Sequence, residues 1–500
     1  MTALAAPAPA AGDYLGRRRL RRFAGVWSLW ALGVSVVIPG EFAGWNYGLI
    51  TGGFGGLLVA TLVVSVMYLC LCFSLAEMSA AMPFAGGGYA FARCALGKRA
   101  GAIVATAQSI QYSLSAAAVV VSVGDAANEI IRYFWGIALP EPLLWAVAYA
   151  IFALINIYGI ELTCRIALLL TVVALGVLAY FAIVALPHFD IRLALDVPVT
   201  ARGSSWLPNG MTGIAWAIPF AVWFLVDIEM LTLASEETEH PERHLPKGIL
   251  SGIATLIVTA LVVLFLNSAV PPGARIIGDS SQPLLTGFQG ILGDRMRPVL
   301  FAVFALLSYA AGFHAMIFAA GRAIFAQARA GYLPTVLSLT HRTRRTPYLA
   351  LIAGTLFGYG AALVIMLALN EVHVDAVLVT MAVFAAIVSY VFQMISFLVL
   401  RRRAPQMKRP FVSILGATGA MTALVISAAA GLLSFSNDSY HAGTFACVLL
   451  FAASALYFQL VARHRLRASP EEVFAAAHQA MIRGNAAAVP AAPGGARHVA

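Results

Sequence analysis

The chain has 500 residues, 61% of them hydrophobic and only 11% charged, with a formal net charge of +10. A water-soluble globular protein keeps about a quarter of its residues charged, so this composition excludes a soluble globule and makes lipid the main solvent. The apolar stretches lack the polar–apolar alternation of membrane-barrel strands, and they are long enough to cross a hydrocarbon core of roughly 30 Å at about 1.5 Å per residue.

Residues 1–16 are rich in Ala and Pro, and the basic run Arg17, Arg18, Arg19, Arg21 and Arg22 follows. No small-residue cleavage site follows a short apolar region there, so the first helix is read as retained. Twelve membrane-spanning helices are expected near 27–48, 54–80, 101–131, 142–160, 166–187, 210–234, 248–270, 298–325, 347–369, 374–400, 411–434 and 442–462. They divide the chain into an N-terminal tail over 1–24, a ten-helix core over 25–400, helices 11 and 12 within 401–465, and a C-terminal tail over 466–500. The tail from about 468, dominated by Ala, Pro and Gly, is expected to be disordered or loosely helical over 470–482.

Lys and Arg resist translocation and so report orientation. With a cytoplasmic N-terminus, 26 of the 32 Lys and Arg residues share that side, including Arg322, Arg329, Arg401, Arg402, Arg403, Arg483 and Arg497. Only Arg132, Arg192, Arg202, Arg275, Arg295 and Arg297 fall on the other. The expected protein is multi-pass, in a bacterial-type inner membrane, with both termini cytoplasmic. Its positive charge then reflects topology and not nucleic-acid binding. The five cysteines, Cys70, Cys72, Cys94, Cys164 and Cys447, lie in or beside apolar spans without metal-ligand spacing and read as small packing residues.

Span 1 carries Ile38-Pro39-Gly40-Glu41-Phe42 at mid-membrane, and span 6 carries Pro219 ahead of Trp223-Phe224-Leu225-Val226-Asp227-Ile228-Glu229. Proline removes a backbone donor and glycine relaxes φ, so each span is expected to unwind, which is tolerable only where protein encloses a cavity. Two interrupted helices five spans apart point to an inverted repeat of helices 1–5 (about 25–190) and 6–10 (about 205–400), with the substrate between the breaks. Ordinary proline kinks are the plainer alternative. The acids weigh against it, because a carboxylate at depth costs about 3 kcal/mol unless paired, hydrated or protonated.

Five segments carry a resemblance. The run Glu77-Met78-Ser79-Ala80-Ala81-Met82-Pro83-Phe84-Ala85-Gly86-Gly87-Gly88-Tyr89 is joined by Glu236-Glu237 through Pro246, Ser281-Gln282-Pro283-Leu284, Gly321-Arg322 through Arg329-Ala330-Gly331-Tyr332-Leu333-Pro334, and Arg403-Ala404-Pro405 through Lys408-Arg409-Pro410-Phe411. In order and spacing they resemble the amino acid–polyamine–organocation superfamily. That resemblance implies a LeuT-like fold, five plus five inverted repeats with helices 1 and 6 broken, and secondary transport by alternating access. Ile38 to Gly48 and Gly52-Gly53-Phe54-Gly55-Gly56 are similar to the ethanolamine permease branch in particular.

The expected cargo is a small organic amine such as ethanolamine, imported with protons as the coupling ion and membrane lipid as the surrounding partner. Where most amino acid permeases resembling this chain carry a Gly-x-Gly-Ile-Phe segment, Glu41 would repel a substrate carboxylate and suit an ammonium group. Asp227 stands where the superfamily pattern has Gly or a small residue, so two acids would approach the site if the breaks meet. Its bland reading is a cap on freed amides, and that of Glu229 a lock on helix packing. The expected substrate site comprises Ile38, Pro39, Gly40, Glu41, Gln111, Tyr112, Trp223, Phe224 and Asp227, with Gln108, Ser115, Glu229, Phe313, Ser389 and Tyr390 as further polar or aromatic neighbours. Trp223 would gate the site or hold a cation over its ring, for roughly 0.5–2 kcal/mol, or else pack in the core.

Glu41, Asp227 and His314 are the proton-coupling candidates. Residues 166–187 contain no charge, so the helix 5 lysine that replaces sodium in some relatives is absent; a sodium site through Ser308 or Tyr309 stays open. No phosphate loop, His-Glu-x-x-His or Gly-x-Ser-x-Gly context supports an enzyme or an ATP-driven pump, and no cofactor or metal is expected. An amino acid or polyamine permease of the same fold, or a channel, remain the alternatives; the oligomeric state is not legible.

Overall fold

Backbone donors and acceptors inside a bilayer find no water, so apolar runs of this length fold as helices that satisfy themselves. The computed structural model of the chain describes residues 17–201, 203–293, 298–369, 374–435 and 438–482. Residues 1–16 and Arg202, Arg295, Arg297, Arg483 and Arg497 of the charge count lie outside them. Among the described residues, 11 helices are long and apolar enough to cross a membrane, and the shorter Val26–Phe42 supplies the twelfth crossing.

These are α1 (Val26–Val37 and Pro39–Phe42), α2 (Tyr47–Ala81), α3 (Lys98–Trp135), α4 (Glu141–Tyr158), α5 (Ile160–Ala185), α6 (Gly210–Trp223 and Ile228–Glu237), α7 (Pro241–Ser268), α8 (Pro298–Ala330), α9 (Tyr348–Leu369), α10 (Val374–Arg403), α11 (Gly416–Leu433) and α12 (Asp438–Leu460). A further helix, α13 (Pro470–Ile482), follows. The protein is thus an all-α, multi-pass membrane protein with helices 1 and 6 interrupted. The helix expected over 27–48 stops at Phe42, because Ala43 is extended and Gly44 has φ +92°. Three short helices, Gly88–Leu96, Ala274–Gly278 and Pro283–Leu292, are additions to the sequence reading. They cap the bundle ends, where short amphipathic or mixed segments give no 18-residue signal.

The packing maps onto itself when five is added to each helix number. α2 lies against the first half of α6, and α7 against α1; α3 lies against α10, and α8 against α5. α3 and α8 pack on one another, as do α2 and α7, and α4 and α9. This is the contact pattern of two inverted five-helix repeats. α11 and α12 flank α10 outside that symmetry.

Four of the five resemblance motifs meet at one end of the bundle, the end where the Arg residues gather; Ser281–Leu284, before α8, lies at the other. Arg401 Nε donates to Glu77 Oε1 at 3.0 Å and Arg409 Nε lies 3.1 Å from the same oxygen, joining α2 to the segment after α10. Arg322 grips Glu237 with two bonds of 2.9 and 2.8 Å, and Arg329 Nη1 donates to Glu236 at 2.9 Å. The N-terminal segment closes onto the same place: Phe23 N and Ala24 N donate to the Glu237 carbonyl at 2.8 and 2.9 Å. The start of α1 and the ends of α6 and α8 are therefore tied together at this basic end, α6 to α8 by charge-assisted bonds and α1 to α6 by backbone hydrogen bonds.

Candidate functional site

The break in α1 follows from Pro39, which has no N–H to offer the Ser35 carbonyl four residues back. Glu41 N instead bonds Ile38 O at 3.0 Å, a tighter turn that closes after one cycle. In α6 the helix ends at Trp223, and Asp227 takes the left-handed conformation at φ 79°, ψ −5° before the 3₁₀ half begins. A non-glycine residue pays of order 1 kcal/mol to sit there, and Asp tolerates it better than most. That backbone explains why a glycine or small residue is the pattern at this position in the superfamily that the chain resembles.

The two breaks touch through Trp223. A Cβ on Gly40 would come within 2.6 Å of the Trp223 carbonyl, and one on Gly44 within 2.6 Å of Trp223 Nε1, so both positions need glycine. Trp223 Nε1 donates to Ala43 O at 3.0 Å, and Phe224 stacks on Trp45 with centroids 5.2 Å apart. Trp223 and Phe224 thus fasten α6 to α1, both nearly or fully buried. Ile38, Pro39 and Gly40 are buried in the same contact; Pro39 packs against Gly312 of α8.

A polar cluster lies on the α3 side of the α6 break. Gln111 Nε2 donates to Asp227 Oδ1 at 2.6 Å and also to Glu229 Oε1, so a single amide joins two carboxylates. Asp227, Glu229 and Gln111 are buried, yet Asp227 Oδ2, Glu229 Oε2 and Gln111 Oε1 have no hydrogen-bond partner among the described residues. Ser115 adjoins Asp227, and Tyr112 Oη, also unpartnered, faces both acids. Tyr390 of α10 neighbours Glu229, and its hydroxyl is 3.1 Å from that of Tyr68 in α2. Three acceptor oxygens and a phenol without partners, in a buried setting without Arg, form a cluster that calls for hydrogen-bond donors.

The other predicted residues lie elsewhere. Glu41 accepts from Thr259 Oγ1 of α7 at 2.6 Å and leaves Oε2 unpartnered, so it faces α7 and does not join the Asp227–Glu229 pair. His314 is held between α4 and α5: Asn156 Nδ2 is 3.1 Å from Nδ1, and Nε2 lies 3.2 Å from the Thr163 carbonyl. Those partners suit the neutral ring, with Nδ1 accepting and Nε2 donating. Phe313 packs edge-on against Tyr149. Gln108 turns to Tyr89, accepting its backbone N–H at 3.1 Å, and Ser389 accepts from Gln393 at 2.7 Å. Ser308 bonds the Phe304 carbonyl of its own helix at 2.9 Å, and Tyr309 lies edge-on to Phe42 at 6.2 Å.

Tyr68 and Thr259 went unmarked in the sequence. Each is a single polar residue in an apolar span, and nothing local separates it from a residue bonded within its own helix. At the end opposite the Arg clusters, Asp125, Glu129, Glu141 and Asp375 lie close enough to interact, and Tyr47 donates to Asp375 at 3.3 Å. Among the described residues, no three His, Cys, Asp or Glu side chains converge as metal ligands would.

The sequence profile described as Amino acid permease matches residues 25–459. The chain is 28% identical over 465 residues to an uncharacterized transporter of Rhizobium meliloti (strain 1021), covering 92% of this chain and 95% of that one. It is 26% identical over 408 residues to the branched-chain amino acid permease BcaP of Bacillus subtilis (strain 168), covering 79% and 84% of the two chains. With the methylthioribose transporter of the same organism it shares 22% over 415 residues, again 79% and 84%. Broken helices 1 and 6, a buried polar cluster beside the second break and a match along most of its length place this chain in the amino acid permease family, a family of membrane transporters and not of enzymes.

Proposed function

We propose that this permease carries a small organic amine, ethanolamine being the cargo its sequence points to, by proton-coupled symport. The reading has it import from the acidic end, with the basic end and both termini cytoplasmic in a bacterial-type inner membrane. One observation carries the reading: Asp227 and Glu229 are buried, share one donor, keep a free oxygen each and have no Lys or Arg partner among the described residues. Two such carboxylates in apolar surroundings require a counter-charge, supplied by a proton in one state and by an ammonium group in another. The phenol of Tyr112 offers a partner for the alcohol of an aminoalcohol. Asp125, Glu129, Glu141 and Asp375 would concentrate cations at the entry.

The sharpest revision to the sequence reading concerns Glu41. Its bond to Thr259 favours a part in closing α1 against α7, with Asp227 and Glu229 as the substrate acids. The second reading, transport of an amino acid, draws support from the similarity to the branched-chain amino acid permease of Bacillus subtilis. A zwitterion would need a donor set for its carboxylate, and the freed amides at the α1 break are the nearest chemistry for it. Uptake of labelled ethanolamine into proteoliposomes, competed with ethanolamine, alanine, arginine and putrescine and repeated with and without a pH gradient, separates the two. Competition by alanine alone would overturn the amine reading, and uptake indifferent to the gradient would overturn proton coupling.

A further inference from the structure

The tail expected to be disordered or loosely helical over 470–482 is the helix α13, and its first turn is bonded to two arginines of the basic end. Glu471 accepts from Arg329 Nη2 at 2.9 Å and Nε at 3.3 Å. Arg329 is the same guanidinium that holds Glu236 at the tip of α6. Glu472 takes Arg93 Nε at 2.9 Å and 2.8 Å on its two oxygens, and the Tyr89 hydroxyl at 3.0 Å. Arg93 and Tyr89 belong to the short helix Gly88–Leu96 between α2 and α3. Phe474 packs edge-on against Phe84, centroids 5.3 Å apart, and Arg467 N bonds the Ala330 carbonyl at 2.9 Å, laying the connecting strand across the end of α8. Glu471 and Glu472 are both buried.

We propose that α13 is a releasable latch: Glu471 and Glu472 bridge the tip of α6, the end of α8 and the helix Gly88–Leu96, and so hold the basic end of the transport path shut. Opening at that end requires the 3₁₀ half of α6 to move relative to α8, since alternating access rocks one repeat against the other about the central site. Glu236 sits at the end of that half, tied through Arg329 to Glu471, so the movement must either break a buried ion pair or carry α13 with it. Once α13 lifts, Arg93 and Arg329 meet water at the membrane surface, which compensates them for the lost carboxylates. The C-terminal helix therefore sets how often the basic end opens, without touching the acids Asp227 and Glu229.

The test uses the full-length protein, with hydrogen exchange in 228–237 as the readout and initial uptake of labelled ethanolamine as the second. Glu471→Gln/Glu472→Gln, still folded by an unchanged elution profile and exchange in α2, should raise exchange in 228–237 at least threefold. A Phe84→Cys/Phe474→Cys disulfide should lower that exchange and cut uptake at least tenfold, with both restored by a reductant. Unchanged exchange in 228–237 in the charge variant and in the oxidised pair would overturn the latch. Absence of ethanolamine uptake in the wild type would instead defeat the amine reading, and the exchange result would still decide the latch.

Discussion

Asp227→Asn removes one negative charge while keeping the shape and one carbonyl oxygen for Gln111. Breaking a buried charge pair costs about 3–5 kcal/mol when the remaining charge is stranded. Here an ammonium group would still meet Glu229, joined to Asp227 through the Gln111 amide, so the loss should fall to about 2–3 kcal/mol. At about 1.4 kcal/mol per tenfold, that is a weakening of roughly 30- to 150-fold in Kd. Equilibrium binding of labelled ethanolamine to purified protein measures it, with thermal unfolding confirming that the variant is folded. Glu229→Gln should act similarly, and the double variant should lose binding altogether, because no carboxylate then faces the ammonium. Single and double variants all within threefold of wild type would refute the assignment of the cation to this pair.

Glu41→Gln should change ethanolamine Kd less than Asp227→Asn does, by under about fivefold, which is about 1 kcal/mol, since its carboxylate faces Thr259 of α7. Thr259→Val should reproduce its effect on uptake rate, and a Kd loss for Glu41→Gln equal to that of Asp227→Asn would return Glu41 to the substrate site. Gly40→Ala should impair transport and lower the unfolding temperature, because the added methyl meets the Trp223 backbone carbonyl at 2.6 Å and cannot be relieved by a rotamer; overpacking of this kind costs about 1–3 kcal/mol. Wild-type uptake in Gly40→Ala would show that the breaks are not pressed together in the working protein.

Apolar length, the Pro39 and Pro219 interruptions and the spacing of the basic residues are properties of the chain taken residue by residue. They were enough to state a helical membrane protein with twelve crossings and breaks in helices 1 and 6, because in lipid the backbone has few other options. The motif residues Glu77, Glu236, Glu237, Arg322 and Arg329 were visible too, though not that Glu77 meets Arg401 while Glu237 meets Arg322. Tertiary structure alone decided which acid faces which helix. Glu41 and Asp227 look equivalent in sequence, each an acid beside a break, yet one turns to Thr259 and the other to Gln111. Side-chain direction at a break depends on the φ and ψ of the unwound turn and on the helix packed opposite, and no periodicity reports either. The same reason hid the docking of α13: its composition reads as a disordered or loosely helical tail, and only the Arg93 and Arg329 guanidinium groups, brought together by distant segments, give Glu471 and Glu472 a reason to be buried.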